Sequence, residues 1–507
     1  MFSQLWQKLK ELIYKLTNKS IEQALHIQPT ISGEMTDAID LWTAMYKNKA
    51  PWLKEGTLAK PETVRSLKLP VKIARLKAEL CTLEMKSEIT GETSEEVITD
   101  EATGLEYTTR KAAESKRADF LNERYQKTII DNIRIQLDYG LARGGLVIKP
   151  YVVGGTIEMD YVQADGFYPI AFSASGRMSE AAFVQKIVNK NETYSRLEYH
   201  KLNDNNSVTI INKAFKSTNT TSTDNLGSEI PLNSVPEWAD LEPETTITGV
   251  DRLMFAYFKP PIANTIDEYS PLGVSVFADA VEHIQDADEL YSSLLWEFKG
   301  GEMAVDVDRD AMKYQQTDDG AEYPIMDKHQ SRLYRRIDVD TNDLYSVFAP
   351  ALRDASYLNG LNEVLRTIED DCLLSRGTIS DPNIQARTAS EIIATEQRSH
   401  VATAQLQKAL QKTLEDVVYI MDALTTLYNL APVGKYEVSF EWKDSAKADD
   451  ETLLGEQTTL MNNGVTSKVE FRQKYFGETE EQAIHALAKV RAYNEYEAQS
   501  EIEEGIE

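Results

Sequence analysis

The sequence predicts a mixed α+β protein, and three features of its residue pattern support this class. Apolar residues recur at helical spacing between residues 35 and 139 and again beyond residue 274. Short runs rich in β-branched and aromatic residues fill much of the interval between 146 and 215. Residues 388–431 contain neither Gly nor Pro, which predicts one very long helix. A length of 507 residues allows roughly three domains.

The first half of the chain predicts helices followed by strands. Helices are expected over 69–83 and 118–139, with a polar hairpin or loop at 88–106 between them. Six strand-like runs follow, separated by Gly, Asn and Asp: LVIKPYVV, TIEMDYV, FYPIAF, AAFVQKIV, TYSRLEYHKL and SVTIINKAF. They predict a meander of about six strands. The Pro-rich segment 259–271 marks the end of this β-rich region.

Beyond that boundary the helical pattern returns. An apolar seam predicts a helix over 274–298, stopped by glycines at 300 and 301. A mixed segment with the strand-like pieces EMAVDV and SRLYRRIDV separates it from a second helix at 350–374. The polar stretch SRGTISDPNIQAR precedes the long helix, which would span roughly 65 Å.

The long helix carries an apolar stripe from Ile392 to Tyr428. This stripe is longer than one compact domain covers. We therefore expect a neighbouring subunit to bury part of it, with Leu410 and Leu414 in the contact.

The two ends of the chain carry different patterns. An apolar stripe from Leu5 to Leu16 predicts a terminal helix that docks on its own chain or a neighbour, with a membrane-surface helix as the alternative. No run approaches the ~20 apolar residues of a membrane span, so no membrane association is expected. Near the other end we expect a strand at 436–442, a helix with a capping box of Thr479 and Gln482, and a frayed acidic tail.

Composition and motifs argue against an enzyme. The chain carries 82 acidic and 54 basic residues, a net charge of −28, which disfavours nucleic-acid binding by bulk charge. Two cysteines cannot form a disulfide framework or a zinc site. The sequence contains no phosphate loop, no GxGxxG, no HExxH and no GxSxG, and its six histidines are scattered. We expect no catalytic residues, no cofactor and no metal.

The order of helix, mixed insertion, helix, polar loop and very long helix resembles the portal proteins of tailed double-stranded DNA bacteriophages, of the type found in phages of Gram-positive bacteria. The resemblance rests on the stretches AIDLWTAMYKNKAPWL, DYGLARGGLVIKPYV, SPLGVSVFADAVEHIQDADELYSSLLWEF and SRGTISDPNIQARTASEIIATEQRSHVATAQLQKALQKTLEDVVYIMDAL. These stretches lie between residues 38 and 424. The resemblance in the order of elements and in length extends over nearly the whole chain. The alternative is another ring-forming head-tail connector or a minor capsid protein.

The resemblance implies a fold divided into named regions. These are a wing at 1–265, stem helix 1 at 266–301, a clip at 302–349, stem helix 2 at 350–374, a tunnel loop at 375–387, the long wing helix and wing strand at 388–450, and the crown and acidic tail at 451–507.

It also implies a place and a set of partners. The expected assembly is a ring of twelve or thirteen subunits at one vertex of the virion capsid, assembled in the host cytoplasm, through which DNA is packaged and ejected. Expected partners are the large terminase packaging ATPase, the head-tail adaptor, the major capsid and scaffolding proteins, and double-stranded DNA bound without sequence specificity.

Three sets of candidate site residues follow from these assignments. The "channel acids" would line an acidic channel wall: Asp279, Glu282, Asp286 and Glu289, on a helix that also carries Asp288 and Glu297. The "loop donors" would touch phosphates: Arg376, Asn383, Gln385 and Arg387. The "clip arginines" would dock the motor and adaptor: Arg332, Arg335 and Arg336. A solvated helix face, a plain helix connection and an exposed strand are the respective alternatives.

Overall fold

A computed structural model of the chain is mixed α/β, which confirms the predicted class at this level. It describes residues 32–53, 64–99, 106–173, 177–189, 192–217, 226–308, 314–316, 320, 322–324, 334–337, 345–381, 389–442, 455, 458–464, 466–476, 479, 482–488 and 490. The N-terminal stripe and the acidic tail predicted above lie outside these residues.

The described helices of eight or more residues are numbered in chain order. They are α1 Gly33–Tyr46, α2 Leu69–Thr82, α3 Lys116–Tyr125, α4 Asp131–Arg143, α5 Val281–Gly300, α6 Asp354–Asp371, α7 Ala389–Leu427 and α8 Lys468–Phe476. A π-helical turn, Gln126–Ile130, joins α3 to α4, so the helix expected at 118–139 is present with one irregular turn.

The strands within the described residues form six sheets of two to six strands. They are β1 Met85–Thr90, β2 Thr93–Thr99, β3 Glu106–Ala112, β4 Leu146–Val153, β5 Thr156–Gln163, β6 Phe167–Phe172, β7 Met178–Asn189, β8 Glu192–Asn203, β9 Ser207–Ser217, β10 Ser228–Ile230, β11 Glu244–Thr248, β12 Ala256–Phe258, β13 Ala304–Asp308, β14 Tyr314–Gln316, β15 Glu322–Pro324, β16 Tyr334–Ile337, β17 Tyr345–Phe348 and β18 Glu437–Trp442. The polar segment after α2 thus contains a hairpin, β2–β3.

The chain divides into two compact units. The first contains residues 1–82 and 131–424, and the second contains 83–130 and 425–507. In the second unit β1 pairs antiparallel with β18, so strands about 350 residues apart in sequence form one ladder. The Thr479–Gln482 capping box is confirmed, because each residue's backbone N–H donates to the other's side chain, at 3.0 and 3.3 Å.

All six predicted strands of the first unit are present, but they belong to two sheets. Strand β4 is the centre of one sheet and pairs with β5 on one side and β12 on the other, whereas β6 to β9 form a meander extended by β10 and β11, both of which pair with β9. Each pairing in these two sheets is antiparallel. The break falls at the short 3-10 turn Ala164–Gly166, where the chain passes from one sheet to the next.

The helix expected at 274–298 begins seven residues later than predicted. Residues 274–280 include four buried apolar side chains, those of Val274, Val276, Phe277 and Ala280. They nevertheless form turns, in which the N–H groups of Ala278 and Ala280 donate to carbonyls three residues back. Just before these turns the backbone at Gly273 lies against the backbone at Gly144. A side chain at position 273 would not fit, because its Cβ would lie 2.4 Å from the Gly144 carbonyl oxygen. A regular apolar pattern therefore did not distinguish a buried turn from the first turns of a helix.

The long helix is confirmed, with 39 residues and a length of about 58 Å. We expected a neighbouring subunit to bury part of the apolar stripe of this helix through Leu410 and Leu414, and for these two residues the expectation is wrong. Leu410 and Leu414 are both 0% exposed within the single chain, and the stripe is buried from Ala402 to Leu424. At the C-terminal end of the stripe Tyr428 is exposed. The neighbouring subunit is not needed to bury this face.

Candidate functional site

The central feature of the first unit is an antiparallel pair of helices, α5 and α6. At one end the Arg353 guanidinium donates to both carboxylate oxygens of Glu297, at 3.1 and 2.7 Å. At the other end His283 Nδ1 lies 2.8 Å from Asp371 Oδ2. Since the start of each helix is tied to the end of the other, the pair forms a long hairpin, called the "helical hairpin" below.

The channel acids lie on or beside the helical hairpin and face away from its packed side. The buried positions of α5 centre on Ile284, Ala287 and Leu294. At about 100° per residue, Glu282 and Asp286 lie on the opposite side of the helix. Both are exposed and Glu289 is half-buried, whereas Asp279 is exposed just before the helix begins.

None of the four channel acids forms an ion pair with a described residue. Glu289 accepts a hydrogen bond of 3.1 Å from the neutral side chain of Gln285 on the same helix. The four carboxylates therefore form a stripe of uncompensated negative charge.

Two other acids of the same helix do not belong to this stripe. Asp288 is only 2% exposed and accepts hydrogen bonds from Trp52 Nε1 at 3.1 Å and from the Leu67 N–H at 2.7 Å. Burial raises the pKa of Asp288, and these hydrogen bonds oppose the rise. Glu297 is paired with Arg353, whose hydrogen bonds lower the pKa of Glu297. Asp288 and Glu297 are therefore engaged with partners in their own chain and do not add to the exposed acidic stripe.

A small β-module lies between the two helices of the hairpin in sequence. Strand β13 pairs parallel with β16 and antiparallel with β17, and β14 pairs with β15. The clip arginines Arg335 and Arg336 stand on β16, opposite Asp306 and Val307 of β13 in register. Arg332 lies outside the described residues. The structure thus assigns two of the three clip arginines to a sheet.

The segment after α6 is held by a buried carboxylate, a contact that sequence analysis missed. Glu369 is 0% exposed, and its oxygens accept from the backbone N–H groups of Gly377, Ile379 and Ser380 at 2.6–3.1 Å. The Ser380 hydroxyl adds a bond of 2.8 Å. A loop whose N–H groups converge on one carboxylate is ordered by that carboxylate. No local pattern in the sequence distinguishes Glu369 from its neighbours.

The loop donor Arg376 is engaged in an ion pair. Its Nη2 lies 2.7 Å from Asp370 Oδ2, and Arg398 of α7 lies 2.5 Å from the other oxygen of the same carboxylate. Hydrogen bonding from Arg376 is the main cause that lowers the pKa of Asp370. Asp370 therefore joins the loop to the long helix. The other loop donors, Asn383, Gln385 and Arg387, lie outside the described residues.

A buried ionic cluster joins the sheet of β4, β5 and β12 to the sheet of β6 to β11. Glu198 of β8 accepts from Lys149 of β4 at 2.8 Å and from Arg196 at 2.9 Å, and lies 2.7 Å from His200 Nε2. Burial alone would raise the pKa of Glu198, but the Lys149 charge and the other two partners hold it well below its ordinary value. Burial lowers the pKa of His200, which keeps its ring neutral near pH 7.

Within the described residues no three His, Cys, Asp or Glu side chains are grouped so that they could hold a metal ion. The helices of this part of the chain also include none that is long and apolar enough to cross a bilayer. No protein-family model matches the sequence, and no curated protein is significantly similar to it.

Proposed function

We propose that this chain is the subunit of a bacteriophage portal, a ring at one capsid vertex that forms the channel for genome packaging and ejection. The observation that carries the proposal is the helical hairpin, which has unpaired acids on one exposed face, a β-module between its helices and an anchored loop directly after it. In this proposal α5 and α6 are the stem, the β-module is the clip, and residues 375–387 are the tunnel loop.

The stripe of channel acids supports a conduit for DNA. A wall that neutralised many phosphates would bind the duplex with high, salt-dependent affinity and would oppose sliding. Unpaired carboxylates repel phosphates and keep the duplex near the axis instead. Glu282 and Asp286 have no cationic partner among the described residues, so their charge is available for this role.

Simple geometry is compatible with a duplex in the channel. Helices packed about 10 Å apart in a ring of twelve give a circumference of roughly 120 Å and a diameter near 38 Å between helix axes. Subtracting about 10 Å for helix thickness leaves roughly 28 Å. A B-form duplex is roughly 20 Å across. A ring of thirteen would admit it as well.

An exposed apolar surface at one end of the helical hairpin supports self-assembly. We call it the "apolar collar"; its members are Trp296, Phe298, Met303, Val347, Phe348, Leu352 and Leu358. Trp296 alone is 56% exposed. Exposed apolar residues near one another on a protein surface are typical of protein interfaces. We propose that neighbouring subunits of the ring bury the collar, in place of the long-helix contact first expected.

The remaining parts of the proposal concern partners. The clip arginines would dock the terminase motor during packaging and the head-tail adaptor afterwards, since a basic cluster favours acidic partner surfaces. The loop donors would make transient contacts with phosphate oxygens. The major capsid and scaffolding proteins would surround the ring at the vertex.

The size and shape of the purified full-length protein test the proposal. Twelve subunits of 57.2 kDa would give a ring of about 690 kDa with a central hole, visible by negative-stain microscopy and measurable by light scattering. The double variant Trp296→Glu, Leu358→Glu is expected to reduce this assembly to small species. Glu282→Gln, on the acidic face, serves as the matched control and should retain the ring. A parent protein that remains a monomer or dimer would refute the portal assignment.

A further inference from the structure

A cavity of about 250 Å³ in the first unit carries charge of the opposite sign to the chain as a whole. It is lined by residues from the ends of β6 to β8, from the loop and short strand around β12, and from α7. We call it the "cationic pocket". All of its lining residues belong to the first unit.

One arginine contacts both carboxylates of the cationic pocket. Arg252 Nε lies 2.9 Å from Asp251 Oδ1, and its Nη1 lies 2.6 Å from Asp416 Oδ1. The same guanidinium is 4.0 Å from the centre of the Tyr419 ring. These contacts orient Arg252 between the two acids.

Three further cations line the cationic pocket: Arg177, Lys259 and Lys412. None of them forms an ion pair in the part of the chain that the structure describes. Four cations and two carboxylates leave a net charge of +2 in a chain whose net charge is −28. Unpaired cations placed together repel each other, and an anion bound between them would relieve that repulsion.

The rest of the pocket wall is largely apolar and includes three aromatic rings, those of Phe172, Phe255 and Tyr257. The Tyr257 hydroxyl accepts from the Gly273 N–H at 3.1 Å, which fixes that ring. Phe255 is 7% exposed and its ring packs against Phe167, Phe183 and His200, and the Tyr257 ring packs against Phe167, so the half-buried Phe172 offers the most accessible ring. Cations bind phosphate by charge-assisted hydrogen bonds, and an aromatic ring can stack on a planar base. The volume is below the ~300–1,000 Å³ of pockets that hold drug-sized ligands, so a small ligand is indicated.

We propose that the cationic pocket binds a phosphate monoester that carries a planar ring, the chemistry of a nucleoside monophosphate. Arg177, Lys259 and Lys412 bind the phosphate, and the aromatic wall contacts the ring. This site goes beyond the proposed channel and does not depend on it, because the pocket would form in a single subunit.

Calorimetric titration of the full-length protein at constant ionic strength tests the proposal, with adenosine monophosphate and inorganic phosphate as probes. Both probes should bind, and the nucleotide should bind more tightly because of the ring. Arg177→Ala and Lys412→Ala should each weaken both probes by about tenfold or more. Lys408→Ala, an exposed lysine one turn earlier on α7 that does not line the pocket, is the matched control and should bind like the parent.

Three outcomes would overturn the site. One is the absence of saturable binding at millimolar probe. Another is a loss of probe affinity in Lys408→Ala equal to that in Lys412→Ala, which would show that the probes bind through general positive charge and not in the pocket. The third is equal affinity for phosphate and nucleotide, which would refute the assignment of the pocket to a phosphate monoester with a planar ring. Circular dichroism of each variant confirms that it is folded.

Discussion

Replacing Glu369 with Gln should loosen the segment after α6 while leaving the rest of the chain folded. The carboxylate is fully buried and accepts from three backbone N–H groups and one hydroxyl, all within residues 377–380. A glutamine keeps the shape of the side chain but presents one acceptor oxygen in place of two. Its NH₂ group would face the Gly377 N–H, donor against donor.

The magnitude follows from the hydrogen bonds. A bond to a charged group contributes about 1.5–3 kcal/mol and a neutral one about 0.5–1.5 kcal/mol. Losing one charged bond should cost about 1.5–3 kcal/mol. The weakening of the remaining bonds is offset in large part because burying a neutral amide costs less than burying a carboxylate, so the expected net cost is about 3 kcal/mol. That corresponds to an increase on the order of 100-fold in the population of the open loop.

Hydrogen exchange of the backbone amides measures this opening directly. Peptides that cover residues 375–381 should exchange much faster in Glu369→Gln than in the parent. Glu363→Gln is the matched control, because Glu363 lies on the same helix, is exposed and forms an ion pair with Arg366. An exposed pair of this kind contributes less than about 1 kcal/mol, so the control should show little change. Equal exchange in Glu369→Gln and the parent would show that the carboxylate does not order the loop.

Three further predictions concern other regions. Acidification should destabilise the first unit, because the pKa values of His200 and Glu198 are both lower in the folded than in the unfolded chain. Stability is therefore lost as the pH falls, first below about 6.5 through protonation of the histidine and then below about 4.5 through protonation of the carboxylate. The thermal midpoint should therefore fall less between pH 7 and 5 in His200→Gln, and parallel profiles would contradict this. Reversing the charge of the clip arginines should weaken binding of the packaging motor while the ring persists; unchanged binding at physiological salt would refute the docking assignment. Replacing the loop donors by alanine should alter packaging or retention of DNA in filled heads, and normal DNA length and retention would leave the loop as a connector.

Element boundaries were predictable where the sequence contains a clear stop or an uninterrupted pattern. The long helix follows from the absence of Gly and Pro, and the structure extends it over Ala389–Leu427. The six strands follow from β-branched and aromatic runs between turn residues. The error at 274–280 has a different origin, because burial makes turns as apolar as helices and only the contact between Gly144 and Gly273 marks the difference.

The roles of individual charges were less predictable. Asp286 and Asp288 are two residues apart on one helix, yet the first is exposed and the second is buried against Trp52. From the sequence we predicted Arg376 to be a hydrogen-bond donor for phosphates in a polar loop, but in the structure it forms an ion pair with Asp370. A charged residue looks the same in sequence whether it faces water or a partner from a distant part of the chain.

The sequence by itself determined the mixed class, the order of the elements, the long helix and the acidic balance, because these depend on local propensity, periodicity and composition. Only the tertiary structure decided which partners those elements meet. It divided the six strands between two sheets, buried Leu410 and Leu414 within their own chain, gathered Arg177, Lys259 and Lys412 around one cavity, and closed a loop on Glu369. The physical reason is that each of these contacts joins residues distant in sequence or from different elements, and its energy depends on burial and distance that no local pattern specifies.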